Sequence, residues 1–169
     1  MDLTNLKDLS KTFVFNLDDM RKLLVVAFLF FTSVSFAQQL SPVSWSFASK
    51  KISDNVFEVQ LIATIQSGWH LYSQQQPGDA IAQPTSFNFS KNPLVNLEGN
   101  VKEIGKLEKY RDKKLDISAN QYSEKVTFVQ KVKLKGKVKT NVSGKLEFQT
   151  CDDKKCLPPK TVNFSIALG

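Results

Sequence analysis

Apolar and polar residues alternate with a period of two along much of the chain beyond residue 40. In the segment NVFEVQLIATI, one face carries Phe57, Val59, Leu61, Ala63 and Ile65, whereas the other carries Glu58, Gln60 and Thr64. Successive side chains of a β-strand point to opposite faces, so this pattern is typical of a strand with one face on a core and one in water. The segment KVTFVQKVKLKGK repeats it. No segment shows a clear period of 3.6 residues, which favours an all-β fold.

Several shorter segments also favour strands. They lie at residues 45–47, 87–89, 146–150 and 162–166, and turn signals rich in Gly, Pro, Asn, Asp and Ser separate them. Many short strands with turns at this spacing predict a β-sandwich, and 13 phenylalanines can fill its core. We expect residues 74–84 to form a surface loop. We expect the lysine-rich strand at 131–139 to form a sheet edge, because charged side chains deter pairing with another chain.

The segment 20–37 has the features of a secretory signal peptide. A basic start, Met-Arg-Lys, precedes nine apolar residues at 23–31, and small residues follow at Ser35 and Ala37. This order of basic, apolar and small residues is typical of export signals with cleavage after the last small residue. The apolar run is shorter than the ~20 residues of a membrane-spanning helix. We therefore predict cleavage after Ala37, with an N-terminal membrane anchor as the alternative.

These boundaries predict three segments. Residues 1–19 mix both charge signs ahead of the export signal, so we predict that they are an upstream mis-assigned start and that Met20 is the initiator. Residues 38–169 then form one domain. The chain has a net charge of +7, but its lysines alternate along strands, which favours a solvated lysine-rich face over attraction to acidic partners or an anionic membrane surface. A nucleic-acid site is not needed to explain this charge.

The only two cysteines, Cys151 and Cys156, lie between two predicted strands in TCDDKKCLPP. Outside the cytoplasm they are expected to be oxidised. As a staple, the pair would close a loop of about six residues, worth only ~2 kcal/mol. As a zinc site, it would need about four ligands, and beyond the cysteines only His70 and two adjacent aspartates are candidates. As an exchange site, it would need close, accessible thiols. The short loop favours an exchange site, with a structural disulfide as the remaining alternative.

Two motifs carry a family resemblance. FQTCDDKKCLPPKTVNFSI resembles the hallmark of the N-terminal periplasmic domain of the thiol:disulfide interchange protein DsbD, also known as the disulfide-bond corrector family. That hallmark is a strand, a Cys, a short acidic loop, a second Cys, an apolar residue and Pro-Pro. SGWHLYS is similar to the Gly-aromatic-aromatic-Leu-Tyr strand of the same domain. The resemblance extends over residues 41–168.

The resemblance implies an immunoglobulin-like antiparallel β-sandwich with Cys151 and Cys156 as a redox pair. It implies a periplasmic electron relay, in which a membrane-embedded thiol reductase or a thioredoxin-like domain reduces the pair. The dithiol then reduces periplasmic disulfide isomerases or cytochrome c maturation proteins. We therefore expect a thiol–disulfide oxidoreductase component that acts as a protein-disulfide reductase. It would have no cofactor, metal or nucleic-acid partner, and no stable membrane insertion after cleavage. The alternative is an immunoglobulin-like interaction module whose disulfide is purely structural.

The resemblance also implies roles for individual residues. Cys156 is expected to attack the partner and Cys151 to resolve the mixed disulfide. His70 and Tyr72 match aromatic positions that line the family's site, with His70 standing where a tyrosine is usual. The family shields its disulfide with a cap loop that carries an aromatic residue, and the matching segment NVKEIGKLEKYRDKKL offers Tyr110. Four residues separate the cysteines here, against five in better-known members.

Overall fold

The computed structural model of the protein describes Arg21 and residues 41–169. Apart from Arg21, the predicted mis-assigned start at 1–19 and the predicted signal peptide at 20–37 lie outside the described residues. Within the part of the chain that is described, no helix is long and apolar enough to cross a lipid bilayer.

Residues 41–169 contain eleven strands and no helix, and every strand pairing is antiparallel. The strands are β1 (Val43–Ser53), β2 (Val56–Ile65), β3 (His70–Tyr72), β4 (Ser86–Phe89), β5 (Val95–Gly105), β6 (Glu108–Asp112), β7 (Ile117–Tyr122), β8 (Lys125–Leu134), β9 (Thr140–Phe148), β10 (Thr150–Cys151) and β11 (Lys160–Leu168). They form three sheets, ordered β1-β2-β8-β5, β10-β3-β7-β6 and β11-β9-β4.

The period-two pattern sets the register of the first sheet. β2 pairs with β8 so that Leu61 lies opposite Phe128, which brings their apolar faces to the same side. That face packs on the third sheet: the ring of Phe87 lies 4.9 Å from the ring of Phe128, and Trp45 lies 5.4 Å from Phe148. The phenylalanine-rich core therefore joins two antiparallel layers. The predicted immunoglobulin-like β-sandwich is confirmed.

The prediction of a sheet edge at 131–139 is wrong. β8 ends at Leu134 and lies between β2 and β5, so both of its backbone edges are paired. Its lysines project from the solvent face of the sheet, where Lys131 Nζ lies 3.2 Å from Glu98 Oε2. The row of lysines marks the solvent-exposed face of a central strand. Alternation of polar and apolar residues indicates which face of a strand is exposed, but not whether the strand lies at the edge of its sheet.

Three strands, β5 to β7, fall in a region where the alternation predicted none. β5 is interrupted between Glu98 and Lys102, where its pairing with β8 shifts and Gly99 adopts a φ of 69°. Gln130, which shares the apolar face of β8, donates from Nε2 to the carbonyl oxygens of Glu98 at 3.1 Å and Gly99 at 3.3 Å. This irregularity breaks the period of two and leaves backbone carbonyls without strand partners. The buried side-chain amide of Gln130 donates hydrogen bonds to them.

Candidate active site

One face of the second sheet gathers four of the five residues predicted for the site. Directly opposed residues of an antiparallel pair project from the same face. The register opposes His70 to Cys151, Tyr72 to Gln121 and Tyr110 to Ala119. Leu71 alternates with these residues on β3 and is fully buried in the sandwich core. The sheet therefore buries one face in the core and presents the other as a site.

The fifth predicted residue, Cys156, is brought in by a tight turn. Cys151 ends β10, and Cys156 pairs back against it in antiparallel fashion. A disulfide joins the two, with their Cα atoms 4.0 Å apart. Between them, the N–H of Asp152 donates to the carbonyl of Lys155 at 2.9 Å. We call residues 151–156 the dithiol turn.

Asp152 organises the dithiol turn. Its Oδ1 accepts hydrogen bonds from the backbone N–H groups of Lys154 at 2.8 Å and Lys155 at 2.7 Å. The bond from Lys154, supported by the bond from Lys155 and by both lysine charges, holds the pKa of Asp152 below its ordinary value. An aspartate that caps backbone N–H groups two and three residues on is a common way to fix a turn. The sequence presented Asp152 as a possible zinc ligand and did not indicate its capping role.

The two sulfur-bearing residues differ in exposure. Cys151 is only 4% exposed and packs with Tyr72 and Ala119 in a small apolar cluster, against which Ala82 also lies. Cys156 is exposed. A reagent or protein that enters from solvent therefore meets Cys156 first.

Gln149 links the residue that follows the dithiol turn to a neighbouring loop. Its Oε1 accepts a hydrogen bond from the N–H of Gln83 at 2.8 Å, and its Nε2 donates to the carbonyl of Leu157 at 3.1 Å. Gln83 belongs to the stretch 73–85, which contains no strand and agrees with the surface loop predicted at 74–84. The side of the loop that carries Ala82 is thus held against the disulfide.

A groove of about 490 Å³ opens over the disulfide. Its lining includes all five predicted residues: Cys151, Cys156, His70, Tyr72 and Tyr110. Three large apolar side chains in the same lining reach into solvent. Tyr110 is 48% exposed, Leu115 is 68% exposed and Ile81 is 77% exposed.

Arg111 joins the two segments that carry these exposed side chains. Its Nη1 donates to Asp79 Oδ2 at 2.7 Å and to Ser118 Oγ at 2.8 Å, and the guanidinium also pairs with Asp116. Asp79 lies in the 73–85 loop, whereas the other partners lie in the β6–β7 hairpin. The segment matched to a cap loop, residues 100–115, thus comprises the end of β5, strand β6 and the start of the turn after it, with Tyr110 on β6.

Glu103 anchors the start of the 73–85 loop, and sequence reasoning missed it. Its carboxylate accepts hydrogen bonds from Ser73 Oγ at 2.7 Å, from the N–H of Gln74 at 2.7 Å and from Tyr122 Oη at 2.6 Å. Burial, together with the bond to Glu103, raises the pKa of Tyr122 far above its ordinary value. No local signal indicates this cluster, because Glu103 is 30 residues from Ser73 and 19 residues from Tyr122 in sequence.

His70 is held by a chain of polar groups. Its Nδ1 lies 3.0 Å from Ser123 Oγ, and that hydroxyl donates to Glu108 Oε2 at 2.9 Å. Its Nε2 lies 3.8 Å from Asp153 Oδ1 in the dithiol turn. Across residues 41–169, no group of three or more His, Cys, Asp and Glu side chains is arranged to hold a metal ion.

Tyr72 is buried and lines the groove beside Cys151. Burial, and then the neighbouring Tyr110, raises the pKa of the Tyr72 hydroxyl. The phenol therefore stays neutral at physiological pH and presents a hydrogen-bonding group beside Cys151 without adding charge.

Residues 37–168 match the family described as thiol:disulfide interchange protein DsbD, N-terminal. A search of curated protein sequences found no match. Among solved structures, the N-terminal periplasmic domain of ScsB from Proteus mirabilis is 16% identical with a TM-score of 0.52, covering 76% of this chain and 47% of that one. The DsbD n-terminal domain of Neisseria meningitidis in the reduced form is 16% identical with a TM-score of 0.49, covering 75% and 85%.

At this level of identity, the likeness to the ScsB domain shows the fold alone. The family match spans most of the chain, and within it the structure holds a cysteine pair joined as a disulfide in an open groove. This combination supports a thiol–disulfide exchange module. The chain belongs to the family of the N-terminal domain of the thiol:disulfide interchange protein DsbD.

Proposed function

We propose that the protein is a periplasmic thiol–disulfide exchange module that relays electrons through Cys151 and Cys156. The observation that carries the proposal is the asymmetry of the pair. Cys156 is exposed at an open groove, whereas Cys151 is only 4% exposed behind it. Exchange needs one sulfur that a partner can reach and a second sulfur held close enough to resolve the mixed disulfide.

The disulfide contributes little to the stability of the fold. It closes a turn already joined by backbone hydrogen bonds, from Asp152 to Lys155 and from Leu157 to Thr150, each 2.9 Å long. For a loop of about six residues, the chain-entropy model gives ~2 kcal/mol, the low end for a disulfide. A bond that contributes so little to stability can open and close without unfolding the domain.

The relay has two half-reactions. In reduction, a donor thiolate attacks Cys156 Sγ and Cys151 leaves as a thiolate; a second donor thiol then releases the mixed disulfide, so two electrons enter the pair. In oxidation, the Cys156 thiolate attacks an acceptor disulfide and expels one acceptor thiolate. Cys151 then attacks Cys156 Sγ and expels the second, which restores the disulfide and passes two electrons on.

The partners follow from the family and from the chemistry of the groove. The donor is a membrane-embedded thiol reductase or a thioredoxin-like domain. The acceptors are oxidised exported proteins such as disulfide isomerases or cytochrome c maturation proteins. The exposed apolar side chains of Tyr110, Leu115 and Ile81 beside the disulfide suit a protein surface as the partner. The periplasmic location is supported by the predicted export signal and by the periplasmic origin of the ScsB domain.

Trapping of mixed disulfides tests the relay. In Cys151→Ala, the exposed Cys156 keeps its nucleophile but loses its resolving partner, so partner proteins should accumulate as covalent adducts after an acid quench in the periplasm. The matched control is Cys156→Ala, which leaves only the buried cysteine and should capture far less. If Cys151→Ala forms no adduct with any exported protein or membrane reductase, the relay is wrong and the disulfide is structural.

A further inference from the structure

His70 and the buried Cys151 lie opposite each other on β3 and β10. Two further side chains, Ser123 and Glu108, hold the imidazole through hydrogen bonds. We propose that His70 is the general base that removes the proton of Cys151 when this thiol resolves a mixed disulfide on Cys156. Ser123 and Glu108 are the residues that position it. The inference rests on the proposed exchange function and assigns the proton transfer within it.

The hydrogen bonds fix which nitrogen of His70 carries the proton. The hydroxyl of Ser123 has one hydrogen, and it is donated to Glu108 Oε2 at 2.9 Å. The Ser123 oxygen, 3.0 Å from His70 Nδ1, must therefore accept a hydrogen bond from that nitrogen. A neutral imidazole protonated at Nδ1 keeps its lone pair on Nε2.

The lone pair on Nε2 is free to take a proton. Within the described residues Nε2 makes no hydrogen bond, and Asp153 Oδ1 lies 3.8 Å away, which is beyond hydrogen-bonding distance. His70 lies directly opposite Cys151 in the β3–β10 pair, where opposed Cβ atoms are about 5 Å apart, and both side chains line the groove. Once the disulfide opens, a thiol at Cys151 lies within reach of the imidazole.

Cys151 is the thiol that needs a base. It is 4% exposed and packs against Tyr72 and Ala119. A thiol among apolar groups ionises reluctantly, and only the thiolate attacks a disulfide. Cys156 faces water, which can take its proton. The base therefore assists the second, intramolecular step and not the first attack on a partner.

His70 Nε2 takes the proton of the Cys151 S–H as Cys151 Sγ attacks Cys156 Sγ. The new Sγ–Sγ bond forms while the bond from Cys156 to the partner sulfur breaks, and the partner leaves as a thiolate carrying the electron pair. The imidazolium then gives its proton to that thiolate or to water.

Several charged and titratable groups surround His70. They are Tyr72 on its own strand, Glu108, Tyr110 and Asp112 on β6, and Asp152, Asp153, Lys154 and Lys155 in the dithiol turn. All of them stay in place when His70 is replaced. Any pH dependence that they impose persists in the variants, so the difference from the native protein isolates His70.

Reaction of the reduced protein with one equivalent of 5,5′-dithiobis(2-nitrobenzoate) separates the two steps. The first thionitrobenzoate is released at a rate that depends on reagent concentration, and the second at a rate that does not. In His70→Ala, we expect the second phase to slow by about 10²-fold at pH 7, a typical contribution of general-base catalysis. Its rate should then rise with hydroxide instead of levelling between pH 5 and 8, and added imidazole should restore it.

The first phase is the internal control and should change by less than about threefold, since general-base assistance is confined to the second step. Ser123→Ala should slow the second phase by less than His70→Ala, because the imidazole is still present but is no longer oriented. His70→Gln, which keeps a polar side chain on the strand, is the second variant if His70→Ala fails to fold. An unchanged second phase with an unchanged pH profile in the folded variant would overturn the inference. Because the probe is a small molecule, this result is independent of whether protein partners are trapped.

Discussion

The core of the sandwich and the small cluster behind the disulfide differ in size and in what surrounds them. The core joins residues of all three sheets and includes Phe128, Leu61 and Leu146, which have no exposed surface. The cluster behind the disulfide consists of Tyr72, Ala119 and Cys151, with one partly buried alanine packed on it, and it opens on a groove. The core carries the stability, and under the proposed function the cluster carries the resolving cysteine.

The short strand β3 connects the two regions. Leu71 points into the core, whereas His70 and Tyr72, on either side of it, point into the groove. Because successive side chains of a strand point to opposite faces, β3 contributes side chains to both regions without exposing the core. With this arrangement, substitutions in the core should change stability, and changes in the groove should leave the core intact.

The largest effect is expected in the core. Phe128→Ala should lower the free energy of unfolding by about 3–5 kcal/mol, because a large side chain is lost from a closed core that cannot collapse fully. Urea denaturation monitored by tryptophan fluorescence measures the change. The matched control is Ile104→Ala on the 62% exposed side chain of β5, expected to stay within about 0.5 kcal/mol. A loss below about 1 kcal/mol in Phe128→Ala would contradict the placement of the core.

Reduction of the disulfide should have a smaller effect on stability. We expect the free energy of unfolding to fall by about 2 kcal/mol, with strand content retained, because the closed loop is short. Parallel denaturation curves with and without reductant, followed by circular dichroism, give this number. Unfolding of the whole domain on reduction would mean that the disulfide supports the core and that the two regions are not separate.

Loss of the Arg111 contacts should loosen the groove but not the core. In Arg111→Gln, backbone amides of residues 77–84 and 112–117 should exchange hydrogen several-fold faster, while the free energy of unfolding changes by less than about 1 kcal/mol, as expected for exposed ion pairs. Lys109→Gln on the same strand is the control. High salt should reproduce part of the effect in the native protein. Faster exchange in β2 or β8 would show that the guanidinium supports the core instead.

The smallest effect is a pH dependence of the dithiol turn. Backbone hydrogen bonds lower the pKa of Asp152, so they stabilise the turn above the ordinary Asp pKa of about 4 and are lost as pH falls through the lowered value. The amide NMR signals of Lys154 and Lys155 should therefore shift with a midpoint below about 4, and Asp152→Ala should abolish the shift. Asp112 caps its own turn through Lys114 and Leu115 and should behave alike. A midpoint at or above the ordinary value would contradict the capping geometry.

The sequence predicted the fold and pointed to the cysteine pair because both leave local signals. The alternation in β2 and β8 reports which face is buried, and the CDDKKCLPP motif carries the family resemblance. It did not predict β5 to β7, because an irregularity at Gly99 and the mostly exposed β6 interrupt the period of two. A pattern-based prediction fails where a strand leaves its regular pairing.

The walls of the groove could not be predicted for a different reason. Arg111 and Asp79 are 32 residues apart, and Ser123 and His70 are 53 residues apart. The residues of such pairs come into contact only when the sheets have formed, so no spacing in the sequence indicates them. The sequence offered Asp152 as a possible zinc ligand, but whether an aspartate in a turn caps backbone N–H groups depends on its rotamer, which the sequence does not give.

The reduction potential of the Cys151–Cys156 pair tests the relay most directly. The purified protein is equilibrated with glutathione buffers of defined composition, and the free thiols are counted at each composition. A working dithiol should come to equilibrium at a potential above about −300 mV, within the range where exported thiol proteins can exchange electrons with it. A potential well below about −300 mV, typical of structural disulfides in secreted proteins, would contradict the relay and leave the immunoglobulin-like interaction module as the function of the chain.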